Sequence, residues 1–297
     1  MIIMGILMLG GFTGLSEISA ANEFPLSVID DLGRKVAISS QPQRIISLAP
    51  SNTEILFALG LGDRLIAVSE YCNYPLKAQN KIKIGGFSKV NVEKVVDLRP
   101  DLVLATCGVQ KTVVKELERL DLVVIALDAK SIEDVLENIR LVGKATGQRE
   151  IAKKLAANLE QRIKAVTGKI KDLPDSQLPR VFYEIQYEPL MTSGPGTFIN
   201  DLIHLAGGVN IASDAITKYP VYNLEIVIER NPEVIIISVG HGSIAASAVG
   251  VKSRKRWQSI DAVKNNRVYE INADIVSRPG PRIVDALEQI AKYIHPE

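Results

Sequence analysis

The sequence predicts an α/β protein of two doubly wound α/β lobes joined by one long rigid α-helix, with a ligand cleft between the lobes. Three observations carry that expectation. Apolar strand-like runs alternate with helical patterns along most of the chain, the signature of parallel βαβ units covered on both faces. That alternation is broken once, by an uninterrupted helical pattern near the middle. Finally, residues 91–105, NVEKVVDLRPDLVLA, and residues 223–237, NLEIVIERNPEVIII, share Asn, Glu, a central Val and Pro in register. The two copies lie about a domain's length apart, which suits a duplicated lobe better than a solenoid repeat. The resulting division is residues 1–21 as an export signal, 22–147 as an N-terminal lobe, 148–173 as the linking helix and 174–297 as a C-terminal lobe.

The elements follow in order. LSVIDDLGRKVAIS places apolar residues on either side of Asp-Leu-Gly and reads as a hairpin. RIISLA is a strand, and PSNTEILFALG is a helix opened by a Pro-Ser-Asn cap and closed by Gly60. LIAVS is a strand, NVEKVVDL a short helix stopped by Pro100, and LVLA a buried strand. VQKTVVKELERL, LVVIAL and SIEDVLENIRLVGKATG continue as helix, strand and helix, the last ending at a glycine. From Gln148 to Leu173 one helical pattern runs on; roughly 24 residues at about 1.5 Å each make a rod of about 36 Å. The alternation restarts with RVFYEIQY, TFINDLIHLAGG, NLEIVIER, EVIIIS, VYEIN and PRIVDALEQIAKYI. EILFALG and DLIHLAG match in carboxylate, apolar pattern and closing glycine, which suggests capping roles for Glu54 and Asp201. One connecting helix is a poor hinge, so large lobe closure is not expected.

Composition narrows the function. The chain has 297 residues, 46% hydrophobic and 23% charged, and a formal net charge of +1. That is globular, and bulk electrostatics supply no reason to bind nucleic acid. The run Lys252 to Arg256, KSRKR, reads as a solvated helical face. Residues 2–15 are almost wholly apolar and precede a small-residue site at Ala20–Ala21, the pattern of a secretory signal, although no Lys or Arg precedes the run. No Cys lies near the cut, which leaves lipid attachment there without support and points to a soluble periplasmic protein. Cys72 and Cys107 both follow strand-like runs and leave two readings open in an oxidising compartment, one disulfide or two unpaired small residues.

In open α/β sheets the ligand sits beyond the carboxyl ends of the strands, so the loops there are the candidate binding surface. They offer Ser51, Asn52, Tyr71, Gly86, Phe87 and Thr106 in the first half, and Met191, Ser193, Tyr219, His241, Asp274 and Arg278 in the second. Aromatics are only 5% of the chain, yet Tyr71, Tyr74, Tyr187, Tyr219 and Tyr222 fall in these loops, which suits a large, flat, partly polar ligand. Enzyme readings fare worse. SGPGTF lacks the Lys of a phosphate loop and is better explained as a helix cap. There is no nucleophile elbow, and the three histidines show no metal spacing, so neither catalytic residues nor a metal site are expected. A tetrapyrrole chelatase needs a cleft pair to take the pyrrole protons, and His241 alone is a candidate. His204 falls on an apolar helical face and reads as structural.

VIDDLGRKVAI, PQRIISLAPSNTEILFALGLGDRLIAVSEYCNYP, NVEKVVDLRPDLVLA and SRPGPRIVDALEQIA resemble the helical-backbone class of ABC-transporter substrate-binding proteins, over nearly all the mature chain. The resemblance implies a periplasmic monomer without a resident cofactor. It would carry an iron-siderophore, haem or a cobalamin to a two-fold inner-membrane permease. APSNTE, the Tyr-x-x-Tyr-Pro loop YCNYP and MTSG resemble the cobalamin-binding branch most, which implies a corrinoid ligand facing Tyr71 and a cleft aspartate at Asp274. The chain departs from that branch at Tyr219, which stands in place of a tryptophan, and at Thr106, in place of another aromatic. Its one Trp, Trp257, lies outside the matched loops. The same resemblance implies that Glu93 and Glu225 pair with arginines of the two permease subunits. Asn91 and Asn223 are good N-caps, which independently puts each glutamate in an exposed first helical turn favoured by the helix dipole.

Overall fold

We describe the protein from a computed structural model that covers residues 23–171, 173–174, 177–240 and 247–296. The export signal expected over residues 1–21 lies outside the described residues. Among those residues no helix is long and apolar enough to cross a membrane.

A hairpin of β1 (Leu26–Ile29) and β2 (Lys35–Ile38) precedes five strands, β3 (Ile45–Ser47), β4 (Leu65–Val68), β5 (Ile82–Lys83), β6 (Leu102–Thr106) and β7 (Val124–Leu127). Their helices are α1 (Pro50–Ala58), α2 (Val92–Asp97), α3 (Lys111–Arg119) and α4 (Ile132–Thr146). The long helix α5 (Arg149–Ile170) follows, 22 residues and about 33 Å of rod. Beyond it come β8 (Arg180–Glu184), α6 (Phe198–Leu205), β9 (Val209–Asn210), α7 (Leu224–Arg230) and β10 (Val234–Val239). The chain ends with α8 (Ala248–Lys252), α9 (Asp261–Lys264), β11 (Val268–Asn272), α10 (Ala273–Ser277) and α11 (Ile283–Ile294).

Both main sheets are wholly parallel. The first has the order β5-β4-β3-β6-β7 and the second β11-β10-β8-β9. Each sheet therefore winds outward in two directions, from β3 and β6 in one lobe and from β8 and β10 in the other. Parallel strands are buried on both faces, and β6, β7 and β10 read as almost continuous buried runs, Leu102–Ala105, Val124–Leu127 and Val234–Ser238. Each fully buried Leu or Ile contributes roughly 1.5–3 kcal/mol, so these runs dominate each lobe's stability. The hairpin is fastened to the first sheet by the buried Asp30 carboxylate, which accepts from Arg34 Nε at 3.1 Å and from the Ala126 amide at 3.0 Å.

Local signals act where they were expected, apart from His204, which is exposed and not packed in an apolar face, and three further exceptions. Ser131 and Asp134 form a capping box that opens α4, and Gly60 and Gly207 close α1 and α6 at φ 76° and 75°. Thr197 caps α6 by accepting from the Asn200 amide, so SGPGTF does serve a helix start. The first exception is α1, whose N-cap is Ala49 with Pro50 at the first turn and no side-chain cap. Asn52 is drawn away, donating through Nδ2 to the Ala105 carbonyl at 2.9 Å. The second is the matched pair Glu54 and Asp201, neither of which caps its helix: Glu54 forms a buried ion pair described below, and Asp201 accepts from Asn200 Nδ2 at 3.3 Å. The third is the KSRKR run: Arg254 is not solvated but pairs with the fully buried Glu184 through two 2.8 Å hydrogen bonds. Its guanidinium lies 4.1 Å from the Tyr187 ring centroid and 4.3 Å from that of buried Trp257. Aromatic faces and a carboxylate together hold that cation out of water.

Candidate functional site

The loops that leave β3 and β6 diverge at the point where the first sheet reverses its winding, which is where an open α/β sheet builds its crevice. A cleft of about 590 Å³ lies there. Its walls are Ala49 to Asn52 after β3, Thr106 and Cys107 after β6, and Leu127 to Ala129 after β7, with Ile55 and Asn138 from α1 and α4. Tyr71 and Phe87 line it from the loops beyond β4 and β5, and Asp274, Ser277, Arg278 and Pro279 from the second lobe. The volume falls within the usual range for small-molecule sites, about 300–1,000 Å³.

Seven residues named from the sequence therefore meet at one place: Ser51, Asn52, Tyr71, Phe87, Thr106, Asp274 and Arg278. Gly86 stands just behind them, where an added Cβ would meet the Tyr71 ring at 3.7 Å. Met191, Ser193 and Tyr219 do not line the cleft. The chain after β8 folds back on itself, Met191 bridging to Gln186 and Val221, which turns that segment away. Ser193 is fully buried and bonds Thr197 Oγ1 at 2.7 Å, a structural role, and Tyr219 is exposed elsewhere. His241 lies outside the described residues.

The disulfide considered between Cys72 and Cys107 is not formed, and both thiols are free. Strand β3 lies between β4 and β6, and two strand spacings of ~4.8 Å exceed the Cα separation a disulfide spans, ~7 Å at most. Cys72 turns inward instead, its Sγ within 3.1 Å of Thr53 Oγ1 and 3.2 Å of Ser69 Oγ. Cys107 faces the cleft, and burial together with Asp128, Asp31 and Asp30 pushes its thiol pKa up to about 11. Its alkylation rate should rise about tenfold per pH unit from pH 7.5 to 10 without a plateau, because only the thiolate reacts. Mass spectrometry of Cys107 after timed iodoacetamide treatment checks this; a plateau near pH 8.5 would contradict the assignment.

The two lobes are clasped beside the cleft. Arg282 donates to Glu54 through Nε at 2.9 Å and Nη2 at 2.6 Å, while its guanidinium lies 3.9 Å from the Tyr74 ring centroid. Asn73 donates to Asp274 at 2.8 Å and accepts from Arg278 at 2.6 Å. Arg278 also pairs with Asp274 at 2.6 Å and lies 3.6 Å from Glu54. Its charge is thus matched within the protein.

The twin rim helices α2 and α7 have the predicted starts. Asn91 Oδ1 accepts from the Lys94 amide at 2.9 Å, and Asn223 Oδ1 from the Ile226 amide at 2.8 Å. Glu93 and Glu225 are both exposed in the first turn. The α2 rim is set by Gly85 at φ 95°, where a Cβ would lie 2.5 Å from the Lys89 carbonyl oxygen, so only glycine lets that loop close. Sequence reasoning missed several cleft residues, among them Asp128, Ser277 and Asn138. The last of these was within its reach. It interrupts the buried stripe Val135, Ile139, Val142 of α4 at helical spacing, and a polar residue on such a stripe was the available signal.

Residues 45–275 match the family model for periplasmic binding proteins. The chain is 34% identical over 279 residues to the uncharacterized ABC transporter substrate-binding lipoprotein YvrC of Bacillus subtilis, covering 92% of this chain and 87% of that protein. It is 34% identical over 254 residues to the vitamin B12-binding protein of Vibrio cholerae, covering 85% of this chain and 89% of that one. The crystal structure of the periplasmic vitamin B12-binding protein BtuF of Vibrio cholerae superposes with a TM-score of 0.72 at 32% identity, over 85% of this chain and 96% of that one. The chain therefore belongs to the periplasmic binding protein family.

Proposed function

We propose that the protein captures a cobalamin in this cleft and, after export to the periplasm, delivers it to the permease of an ABC importer. The observation that carries the choice of ligand is the charge on the cleft wall. Among the described lining residues the charged groups are Asp128, Asp274 and Arg278, and Arg278 is already engaged by Asp274 and Glu54. No free cation is left there to receive the propionates of haem or the anionic oxygens of a ferric catecholate siderophore, and both would meet two carboxylates instead. A cyanocobalamin is neutral overall and rims its corrin ring with carboxamides, which such a wall accepts. Tyr71, 44% exposed, supplies an aromatic face for a flat macrocycle. The similarity to the vitamin B12-binding protein of Vibrio cholerae supports the same reading.

Delivery rests on the rim helices. A permease of two like subunits presents its surface twice, and one matched glutamate per lobe suits that symmetry. Glu225 pairs with Arg256, yet both side chains are exposed, 61% and 69%, so a permease arginine can replace Arg256 at little cost. Gel filtration of the purified protein with cyanocobalamin tests the ligand. The red chromophore is expected to co-elute, one per chain. Capture of haem or a ferric siderophore with exclusion of cyanocobalamin would overturn the assignment.

A further inference from the structure

The cleft wall holds a polar side chain that the fold itself leaves unused. Asn138 is only 4% exposed, sits in the middle of α4 among buried Val135, Ile139 and Val142, and lines the cleft. Among the described residues its side-chain amide makes no hydrogen bond, although nearly every other polar group buried nearby is paired. Asn52 on α1, for instance, is tied to the Ala105 carbonyl and Gln110 to the Leu48 carbonyl at 2.9 Å. Its amide keeps only a sliver of contact with the open cleft, and a ligand that covered it without pairing it would cost roughly 1–3 kcal/mol, so this is a group the ligand should pair. A second wall residue behaves alike: Thr106 lines the cleft and its buried Oγ1 also has no partner.

We infer that Asn138 reads a primary carboxamide of the ligand. The argument is one of complementarity. An asparagine offers one carbonyl acceptor and an NH2 donor on the same plane, and a primary carboxamide presents the matching pair. A carboxylate can only accept, so it would leave the Asn138 carbonyl unsatisfied. It would also bring a negative charge to a wall that already carries Asp128 and Asp274. This inference deepens the cobalamin assignment and rests on it, because a corrin rim is decorated with carboxamides. It adds that this wall tells an amide from an acid.

The test pairs a protein change with a ligand change. Calorimetry is run on the wild type and on Asn138→Leu with cyanocobalamin and with each of its monocarboxylic acids, in which one carboxamide has been hydrolysed. Asn138→Leu should weaken cyanocobalamin about 10–100-fold, the worth of one or two hydrogen bonds in a closed site. For one monoacid the wild type should lose a similar factor and Asn138→Leu should lose little more, the non-additivity that marks a direct contact. The melting temperature of the unliganded variant should be equal or higher, since no protein hydrogen bond is removed. Tyr71→Ala, by contrast, should weaken the amide and every monoacid by the same factor. Undiminished affinity in Asn138→Leu, or losses that simply add for every monoacid, would overturn the inference while leaving the ligand assignment in place. Failure of the wild type to bind cyanocobalamin would remove both.

Discussion

Glu54→Ala should lower the unfolding free energy by about 3–5 kcal/mol, the cost of removing one partner from a buried ion pair. The Glu54 side chain is 2% exposed, and it faces Arg282 and Arg278, which are 16% and 10% exposed. Taking the carboxylate away leaves two guanidinium groups sharing one partly desolvated site with only Asp274 to answer them. Arg282 would keep its contact with the Tyr74 ring, which is worth far less than the pair, ~0.5–2 kcal/mol. Glu54→Gln keeps the shape and one acceptor, and so should cost less than alanine. Thermal melts of both variants read the effect, with a fall of roughly 10 °C expected for alanine. Because Glu54 stands in the first lobe and Arg282 in the second, the same variant should also speed amide exchange around α1 and α11. A loss below about 1 kcal/mol would show that the pair is solvated and adds little to the other links between the lobes, α5 and the Asn73 bonds to Asp274 and Arg278.

That ion pair also shows where sequence reading reached its limit. The lobes, their sheets and the long helix were legible because each strand and helix signals itself within its own few residues. Apolar period, capping Asn91, Asn223 and Ser131, and closing Gly60 and Gly207 are all local. Glu54 was misread for the complementary reason. Its likeness to Asp201 in EILFALG and DLIHLAG is real, yet one packs against the other lobe and its counterpart stays in its own, and nothing local separates the two cases. Short edge strands β5 and β9, two residues each, fall below the length at which alternation can be seen. Half of the cleft was legible because strand-end loops at a winding reversal are a topological address. Met191, Ser193 and Tyr219 share that kind of address by sequence, and a fold-back between Gln186 and Val221 removes them from it. Cys107 and Asp128 also show that the wall's electrostatics come from loops after different strands, a juxtaposition that only the β3-β6-β7 order creates.

The double variant Glu93→Ala/Glu225→Ala should abolish ligand uptake by cells while leaving the affinity for cyanocobalamin unchanged. Both glutamates lie in the first turn of a short helix outside the cleft wall, so neither touches the ligand. Their intrinsic value to the fold is small, roughly 0.3–1 kcal/mol each through the helix dipole, and the protein should remain folded. Their value to docking is different in kind. On the proposed docking, a two-fold permease would engage both rims at once, so the second contact would form at high effective concentration once the first is made. Loss of both should therefore cost much more than twice the loss of one, and the single variants should retain partial uptake. The two singles should also differ. Glu93 forms no ion pair among the described residues, whereas Glu225 must first exchange Arg256 for its new partner. Removing Arg256 by Arg256→Ala should free Glu225 and leave uptake equal or slightly raised. Uptake of labelled cyanocobalamin in a strain lacking its own binding protein, run beside calorimetry, separates docking from binding. If the double variant transports at the wild-type rate, the repeated glutamates are helix-start residues alone and the permease reads some other surface of the lobes.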